Sequence, residues 1–154
     1  MKRQALHVLA AFLTLSTAFA YEVATPKVEG FRLSGDQWSC TADGKALSGF
    51  LLKPAGEGQF PAIVLSHGLG GRAQEMMRAR GAALVGMGFV CIATDYTHAA
   101  TGAGRGDRSK IDFTQVGARP ENMSRGLACI EILRQCRDVD PKRFRAITES
   151  ALEG

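Results

Sequence analysis

The stretch Pro61-Ala62-Ile63-Val64-Leu65-Ser66-His67-Gly68-Leu69-Gly70-Gly71 decides the fold. Its first six residues form a short, continuous apolar run, which is typical of a central parallel strand covered by helices on both faces. A glycine-rich turn follows at residues 67–71, where the missing Cβ atoms let the backbone approach a bound group closely. The sequence therefore predicts a buried strand that ends in a binding turn.

The residues after this turn complete a strand–helix–strand unit. From Gln74 the apolar residues recur with a period of 3.6, and Gly86 and Gly88 predict the end of a helix. The residues expected on its buried face are Met76, Ala79, Ala83 and Met87. A second apolar strand follows at residues 89–93. Two strands joined by a helix within about 35 residues indicate a parallel sheet.

The flanking segments extend this unit on both sides. Before it, an apolar arm at residues 49–52 faces a shorter arm at 38–40 across a turn containing Asp43-Gly44, which predicts a β-hairpin. After it, residues 97–119 are polar and glycine-rich and indicate a long surface loop. Pro120 suits the first position of a helix, whose apolar stripe is Met123, Leu127, Ile130 and Leu133. Residues 144–148 are expected to form a third core strand.

The first twenty residues have the features of a secretory signal peptide. A basic start at Lys2-Arg3 precedes an apolar run, and Ala18-Phe19-Ala20 has the small-x-small pattern of a cleavage site. The run is too short for a convincing membrane span. We therefore expect a signal peptide at 1–20, a single domain at 21–154, a secreted or periplasmic protein, and no stable membrane anchor after cleavage.

Charge and cysteine content limit the classes of partner and cofactor. Two of the 19 basic residues lie in the leader and none of the others form a basic stripe, so nucleic acid is not an expected partner. The chain has no Cys/His spacing typical of zinc, and we expect no metal and no cofactor. An oxidising compartment permits disulfides among Cys40, Cys91, Cys129 and Cys136 but does not define their pairing. The last two are about 10 Å apart along a predicted helix, which argues against that pair.

These motifs together resemble the dienelactone-hydrolase-like group of α/β-hydrolases. The proline-led strand at 61–66 runs into a His-Gly-x-Gly-Gly turn, as in that group. The hairpin, the segment 88–96 and the segment Val139-Asp140-Pro141-Lys142-Arg143 are similar to it as well. The resemblance covers residues 38–143. It implies an α/β fold in the form of a partial α/β-hydrolase sheet, with an N-terminal hairpin, parallel βαβ units and the later strands missing.

The resemblance also assigns roles to particular residues. The backbone N–H of Leu69 would be one oxyanion-hole donor, and that of Ala151 the other. Ser150 occupies the slot of the nucleophile, although both glycines of the G-x-S-x-G pattern are replaced. His67 and Asp95 would shape the turn rather than react.

The family's catalytic acid and histidine would lie beyond Gly154, so the resemblance implies an N-terminal fragment with little hydrolysis of its own. When complete, such a protein would act on a small-molecule ester or lactone. Arg145 does not suit a strand buried on both faces, because an unpaired buried charge is costly. A sheet without its later strands would present an edge that could recruit a second copy. His98 is expected to be an ordinary loop histidine.

Two other interpretations remain open at this stage. Residues 68–73 also satisfy G-x-G-x-x-G/A, and Asp95 ends the next strand, as in dinucleotide-binding proteins. Three features count against dinucleotide binding. The chain is expected to be exported, a hairpin precedes the strand–helix–strand unit, and a histidine stands before the first glycine. The same scaffold could also serve as a non-catalytic secreted interaction module.

Overall fold

The computed structural model describes residues 23–69, 71–99 and 112–148 of the 154-residue chain. Six strands lie in these ranges: β1 (Val28–Ser34), β2 (Gln37–Ala42), β3 (Lys45–Leu52), β4 (Phe60–Ser66), β5 (Val90–Thr94) and β6 (Val139–Thr148). The helices are α1 (Ala73–Met76), which continues through a π-helical segment (Met77–Gly81) into α2 (Ala82–Gly86), and α3 (Pro120–Gln135). A short 3₁₀ helix covers Phe113–Gln115.

The strands form one mixed sheet in the order β1-β2-β3-β5-β4-β6. The pairs β1–β2, β2–β3 and β3–β5 are antiparallel, whereas β4 pairs in parallel with β5 and with β6. The predicted α/β class, with an N-terminal hairpin followed by parallel units, is confirmed. Strand β1 was not predicted, and it extends the hairpin to a three-stranded antiparallel region.

The turn between β2 and β3 has the backbone conformation that its sequence predicts. Asp43 has φ 48° and Gly44 has φ 77°. Left-handed conformations at both central residues give the two-residue turn whose twist matches that of the flanking strands. The resulting register places Trp38 opposite Gly49.

Trp38 and Gly49 form a close contact at the centre of the sheet. The Trp38 indole Nε1–H lies 3.2 Å from the carbonyl oxygens of both Phe50 and Ala93. A Cβ atom at position 49 would lie 2.0 Å from the Ala93 carbonyl oxygen and 2.7 Å from the indole ring. Only glycine fits at position 49, because the indole ring and the neighbouring strand occupy the space of a side chain.

The helix after the glycine-rich turn buries a different face from the predicted one. Ala79, Ala83 and Met87 are exposed. The buried residues are Ala73, Met76, Met77 and Gly81. The π-helical turn at Met77–Gly81 adds a residue to one turn and rotates the following residues around the axis, so a strict 3.6-residue period assigned the wrong positions. The helix end was predicted correctly: Gly88 has φ 92°, and Phe89 N–H donates to the Leu84 carbonyl oxygen at 3.1 Å.

Helix α3 begins at Pro120, as predicted, but its buried face is rotated. The apolar positions that are fully buried are Ala128, Cys129, Ile132 and Leu133. Met123, Leu127 and Ile130 of the predicted stripe are only half-buried. Cys136 lies just after the last helical residue. All four cysteines are free thiols.

Strand β6 continues in register with β4 as far as Thr148, and Arg145 does not interrupt it. Arg145, which does not suit a strand buried on both faces, is exposed here and donates to the Phe144 carbonyl oxygen at 2.9 Å. Within the described ranges β6 is the last strand of the sheet, so its outer edge pairs with no other described strand. An arginine at an open sheet edge keeps its charge in water.

The sheet separates two apolar layers. Alternate residues of β4 point to opposite faces: Ala62 and Val64 pack with α3, and Ile63 and Leu65 pack with α1 and the π-helical segment. Both helical segments thus lie against the central strands, and each one follows the carboxyl end of one parallel strand and precedes the amino end of the next. No helix in the described part of the chain is long and apolar enough to cross a membrane.

Candidate active site

A cavity of about 410 Å³ lies at the carboxyl ends of β4 and β5. Its walls come from the end of β4 and the following turn, from Tyr96 and His98 after β5, and from one side of α3 with the loop before it. The residues that line it are Ser66, His67, Gly68, Leu69, Tyr96, His98, Val116, Gly117, Ala118, Asn122, Met123 and Gly126. The predicted binding turn therefore faces a cavity at the sheet edge where ligands of α/β proteins bind.

His67 joins the turn to the neighbouring strand end. Its Nε2 atom accepts the backbone N–H of Tyr96 at 3.2 Å, so Nε2 carries no proton. The proton of the neutral ring is on Nδ1, which donates to the Gly68 carbonyl oxygen at 3.1 Å. Burial lowers the pKa of His67 and keeps the ring neutral. Both ring nitrogens are engaged in holding the backbone, as the resemblance implied.

The carbonyl oxygen of Gly68 is held from three directions. Besides His67, the Nε2–H group of His98 donates to it at 3.1 Å, and Gly71 N–H does so at the same distance. This carbonyl belongs to the same peptide unit as Leu69 N–H, and the described residues contain no cis peptide bond. In a trans peptide the C=O and N–H bonds point in opposite directions. The three donors therefore fix the Leu69 N–H pointing away from them.

His98 is not the ordinary loop histidine expected from the sequence. It is buried, and its ring stacks on that of Tyr96 with the ring centres 6.2 Å apart. The His67 ring lies 5.0 Å from His98 and 5.1 Å from Tyr96. The three rings form a cluster beneath the turn, and two of them reach the Gly68 carbonyl oxygen.

Asp95 caps the helix that follows the turn. Its Oδ1 atom accepts the backbone N–H of Ala73, the first residue of α1, at 2.7 Å, and lies 3.7 Å from Nε2 of His67. A carboxylate at a helix N-terminus is favourable, because it satisfies a free N–H group and complements the helix dipole. Asp95 thus shapes the turn, as the resemblance implied. In the dinucleotide alternative the same carboxylate would have to bind a ribose.

Asn122 ties the long loop to α3. Its Oδ1 atom accepts the backbone N–H of Thr97 at 3.0 Å and the Thr97 hydroxyl at 2.9 Å. Its Nδ2 group donates to the carbonyl oxygens of Gln115 and Gly117, each at 3.0 Å. One buried amide thereby connects the start of the loop to its end, and it fixes the wall of the cavity formed by residues 116–118.

Two hydroxyl groups in the cavity wall lie next to each other. The Oγ atom of Ser66 and the Oη atom of Tyr96 lie 2.6 Å apart. Sequence reasoning missed both residues and Asn122. The sequence offered two hints of their roles. Tyr96 directly follows Asp95 just after a strand, and Asn122 is a polar residue in the first turn of α3.

Of the three residues assigned to the reaction, the structure describes Leu69. Leu69 is half-buried and lines the cavity. Ser150 and Ala151 lie outside the described residues. The last residue of β6, Thr148, is the register partner of Ser66, so the chain reaches residue 148 beside the beginning of the turn.

No three His, Cys, Asp or Glu side chains in residues 23–69, 71–99 and 112–148 lie close enough together to hold a metal ion. Among the described residues, the lining of the cavity contains no lysine, arginine, aspartate or glutamate. The groups that these residues offer are hydroxyl, amide, imidazole and backbone groups together with apolar side chains.

Comparisons with known proteins give a clear result only at the level of the fold. No protein-family model and no curated protein matches the chain. Among solved structures, it is similar to a protein from Bacteroides fragilis NCTC 9343 assigned as an acetyl xylan esterase, with a TM-score of 0.57, 11% identity, and coverage of 82% of this chain and 42% of that one.

Two further solved structures lead to the same fold. A methylesterase has a TM-score of 0.56 and 21% identity, over 82% of this chain and 30% of its own. A mutant of the esterase rPPE has a TM-score of 0.53 and 18% identity, over 84% of this chain and 36% of its own. The chain thus has the fold of part of an α/β-hydrolase, and it spans less than half the length of these esterases. The similarity expected from the motifs is confirmed for the fold.

Proposed function

We propose that the chain is the N-terminal part of an exported hydrolase of the carboxylic-ester type, similar to dienelactone hydrolases. The complete protein would cleave a small ester or lactone, and the 154-residue chain alone would have little activity. The observation that carries this proposal is the Gly68 carbonyl oxygen held by three donors, since it preorganises the Leu69 N–H beside a cavity.

A preorganised N–H group is what ester cleavage requires from the backbone. Attack on an ester carbonyl creates an oxyanion, and a fixed donor stabilises it by about 3 kcal/mol without having to reorganise during the reaction. Leu69 would supply that donor. The glycines around it allow the reacting group to approach the backbone.

The register of β6 supports the assigned position of the nucleophile. Because Thr148 lies beside Ser66, residues 150 and 151 follow the strand next to the one that leads into the turn. Ser150 would attack the carbonyl carbon, and Ala151 N–H would be the second oxyanion donor. A serine needs an adjacent base to be an effective nucleophile, and both nitrogens of His67 are already engaged. The base would come from residues of the complete protein beyond Gly154.

The DNA that follows codon 154 tests the proposal. Read in all three frames, it should encode the catalytic acid and histidine that follow the nucleophile in this family. A chain extended through that region should hydrolyse p-nitrophenyl acetate, and Ser150→Ala should abolish hydrolysis. Downstream DNA without these residues, or an extended chain without activity, would contradict the proposal.

Export is a separate part of the proposal and rests on residues 1–20. We propose cleavage after Ala20 and a mature chain that begins at Tyr21. Intact-mass measurement of the protein from the periplasmic or culture fraction should give the mass of residues 21–154. The uncleaved mass, or a protein confined to the cytoplasm, would contradict export.

A further inference from the structure

The hydroxyl groups of Ser66 and Tyr96 form a pair whose hydrogens can be counted. Their oxygen atoms are 2.6 Å apart, which is a short hydrogen bond in which either group can be the donor. Each hydroxyl carries one hydrogen atom. One of the two hydrogens is used between the oxygens, and the other has no acceptor among the described residues.

The pair lies in a cavity whose other side chains are largely apolar. Leu69, Val116, Ala118 and Met123 contribute hydrocarbon surface to the same lining. A hydroxyl group that loses water without gaining a partner costs about 1–3 kcal/mol. A ligand that fills this cavity is therefore favoured if it brings a hydrogen-bond acceptor to the pair.

The charge of the site restricts the ligand further. Burial raises the pKa of the Tyr96 phenol, so this group stays neutral. The described lining contains no lysine or arginine to pair with an anion. A neutral oxygen acceptor fits the pair better than a carboxylate, whose charge would lose its hydration without gaining a cation.

We propose that the Ser66–Tyr96 hydroxyl pair binds an uncharged carbonyl or ester oxygen of a compact, mainly hydrocarbon ligand. The pair donates its free hydrogen to that oxygen, while Leu69, Val116 and Met123 contact the hydrocarbon part. The inference rests on the proposed function for the choice of an ester. Binding itself requires neither a nucleophile nor turnover.

Titration of the ¹⁵N-labelled 154-residue chain by NMR tests this proposal with three probes of similar size. Phenyl acetate carries the acceptor, propylbenzene lacks it, and phenylacetate carries a charged carboxylate. One net hydrogen bond predicts that phenyl acetate binds about 2- to 10-fold more tightly than propylbenzene, with shifts at the amides that line the cavity. Phenylacetate should bind more weakly than phenyl acetate. Equal affinities of the unmodified protein for the ester and the hydrocarbon, or a preference for the acid, would overturn the proposal.

Variants assign the preference to the pair. In each single variant, Ser66→Ala or Tyr96→Phe, the one remaining hydroxyl hydrogen has no second oxygen to bind, so the variant should keep most of the preference. The double variant has no hydroxyl hydrogen at this place and should bind both probes equally. Ser39→Ala removes an exposed hydroxyl on β2 and serves as the matched control, with the preference unchanged. A folded double variant that retains the full preference would exclude the pair.

The outcome is independent of catalysis. Hydrolysis of phenyl acetate during the titration would contradict the proposed inactivity of this chain. The binding preference could still be measured at early times, before much of the ester is cleaved. An inactive chain that discriminates between the probes supports the hydroxyl pair, whatever the downstream DNA encodes.

Discussion

Nε2 of His98 lies 3.1 Å from the carbonyl oxygen of Gly68. This contact connects the segment after β5 to the turn after β4. Because the carbonyl shares its peptide unit with Leu69 N–H, His98 acts on the proposed oxyanion donor without touching a substrate. It is a positioning residue in this account.

Loss of His98 should loosen that peptide unit. His98→Ala removes about 1 kcal/mol of hydrogen bonding, so the Gly71 amide, which donates to the same carbonyl oxygen, should exchange with solvent about 5-fold faster, as measured by NMR hydrogen exchange. His98→Gln retains an N–H donor and should restore most of the protection. Equal exchange in the unmodified protein and the alanine variant would show that His67 and Gly71 hold the carbonyl without His98.

The buried, neutral His67 should make stability depend on pH. Its pKa is lowered mainly by burial, with His98 acting in the same direction; the Gly68 hydrogen bond, Asp95 and Glu75 oppose the shift. The unfolded chain then binds the proton more readily than the folded one, so the contribution is present above the ordinary pKa of 6.5 and is lost as the pH falls below it.

Thermal melts of the unmodified protein and of His67→Asn test this linkage. The melting temperature of the unmodified protein should fall more steeply between pH 7 and pH 5 than that of the variant. The variant should be less stable at pH 7, since the bond to Tyr96 N–H is altered. Parallel curves for the two proteins would show that His67 titrates alike in the folded and unfolded states.

The contact between Trp38 and Gly49 should be sensitive to a single methyl group. Gly49→Ala would place a Cβ atom 2.0 Å from the Ala93 carbonyl oxygen, so we expect a loss of about 3 kcal/mol in the free energy of unfolding. Gly86→Ala is the matched control. That position has open space around it and lies in a helix, and the substitution should be neutral or stabilising by up to about 1 kcal/mol.

Chemical denaturation of both variants measures the difference. If the free energy of unfolding of Gly49→Ala is within about 0.5 kcal/mol of that of the unmodified protein, β3 and β5 can separate without cost. Such a result would contradict the register in which Gly49 pairs with Thr94 beside the indole ring.

Arg145 should limit self-association at the outer edge of β6. Exposed charges on edge strands oppose pairing with a second copy, and Arg145 is exposed there. Sedimentation velocity should detect concentration-dependent association of the unmodified chain, more of it in Arg145→Val and a similar amount in Arg145→Lys. A sharply monomeric valine variant would show that this edge does not recruit a second copy.

Sequence patterns predicted those parts of the fold that depend on local chemistry. Three features were predicted correctly from one or two residues that dictate a backbone conformation: the Asp43-Gly44 turn, the start of α3 at Pro120 and the end of the preceding helix at Gly88. The strand predicted at 61–66 from its continuous apolar run was also confirmed. The buried faces of both helices were predicted less well, because a π-helical turn and a rotation of α3 arise from packing against the sheet.

The candidate site was predictable only in part. The turn at 67–71 and the roles of His67 and Asp95 follow from motifs. The contributions of His98, Tyr96 and Asn122 depend on contacts between residues 25 to 30 positions apart, such as that of Asn122 with Thr97. No local pattern predicts such contacts, because the sequence alone does not show which of many distant residues a polar side chain will meet in the folded protein.

We propose above that residues 67–71 form the oxyanion turn of an ester hydrolase and that the 154-residue chain alone has little activity. Hydrolysis of p-nitrophenyl acetate by the purified 154-residue chain tests it most directly, with Ser150→Ala measured in parallel. We expect both proteins to hydrolyse the ester at the rate of buffer alone, because both ring nitrogens of His67 are engaged and His67 cannot serve as a base for a serine. Turnover well above that rate, abolished in Ser150→Ala, would contradict it.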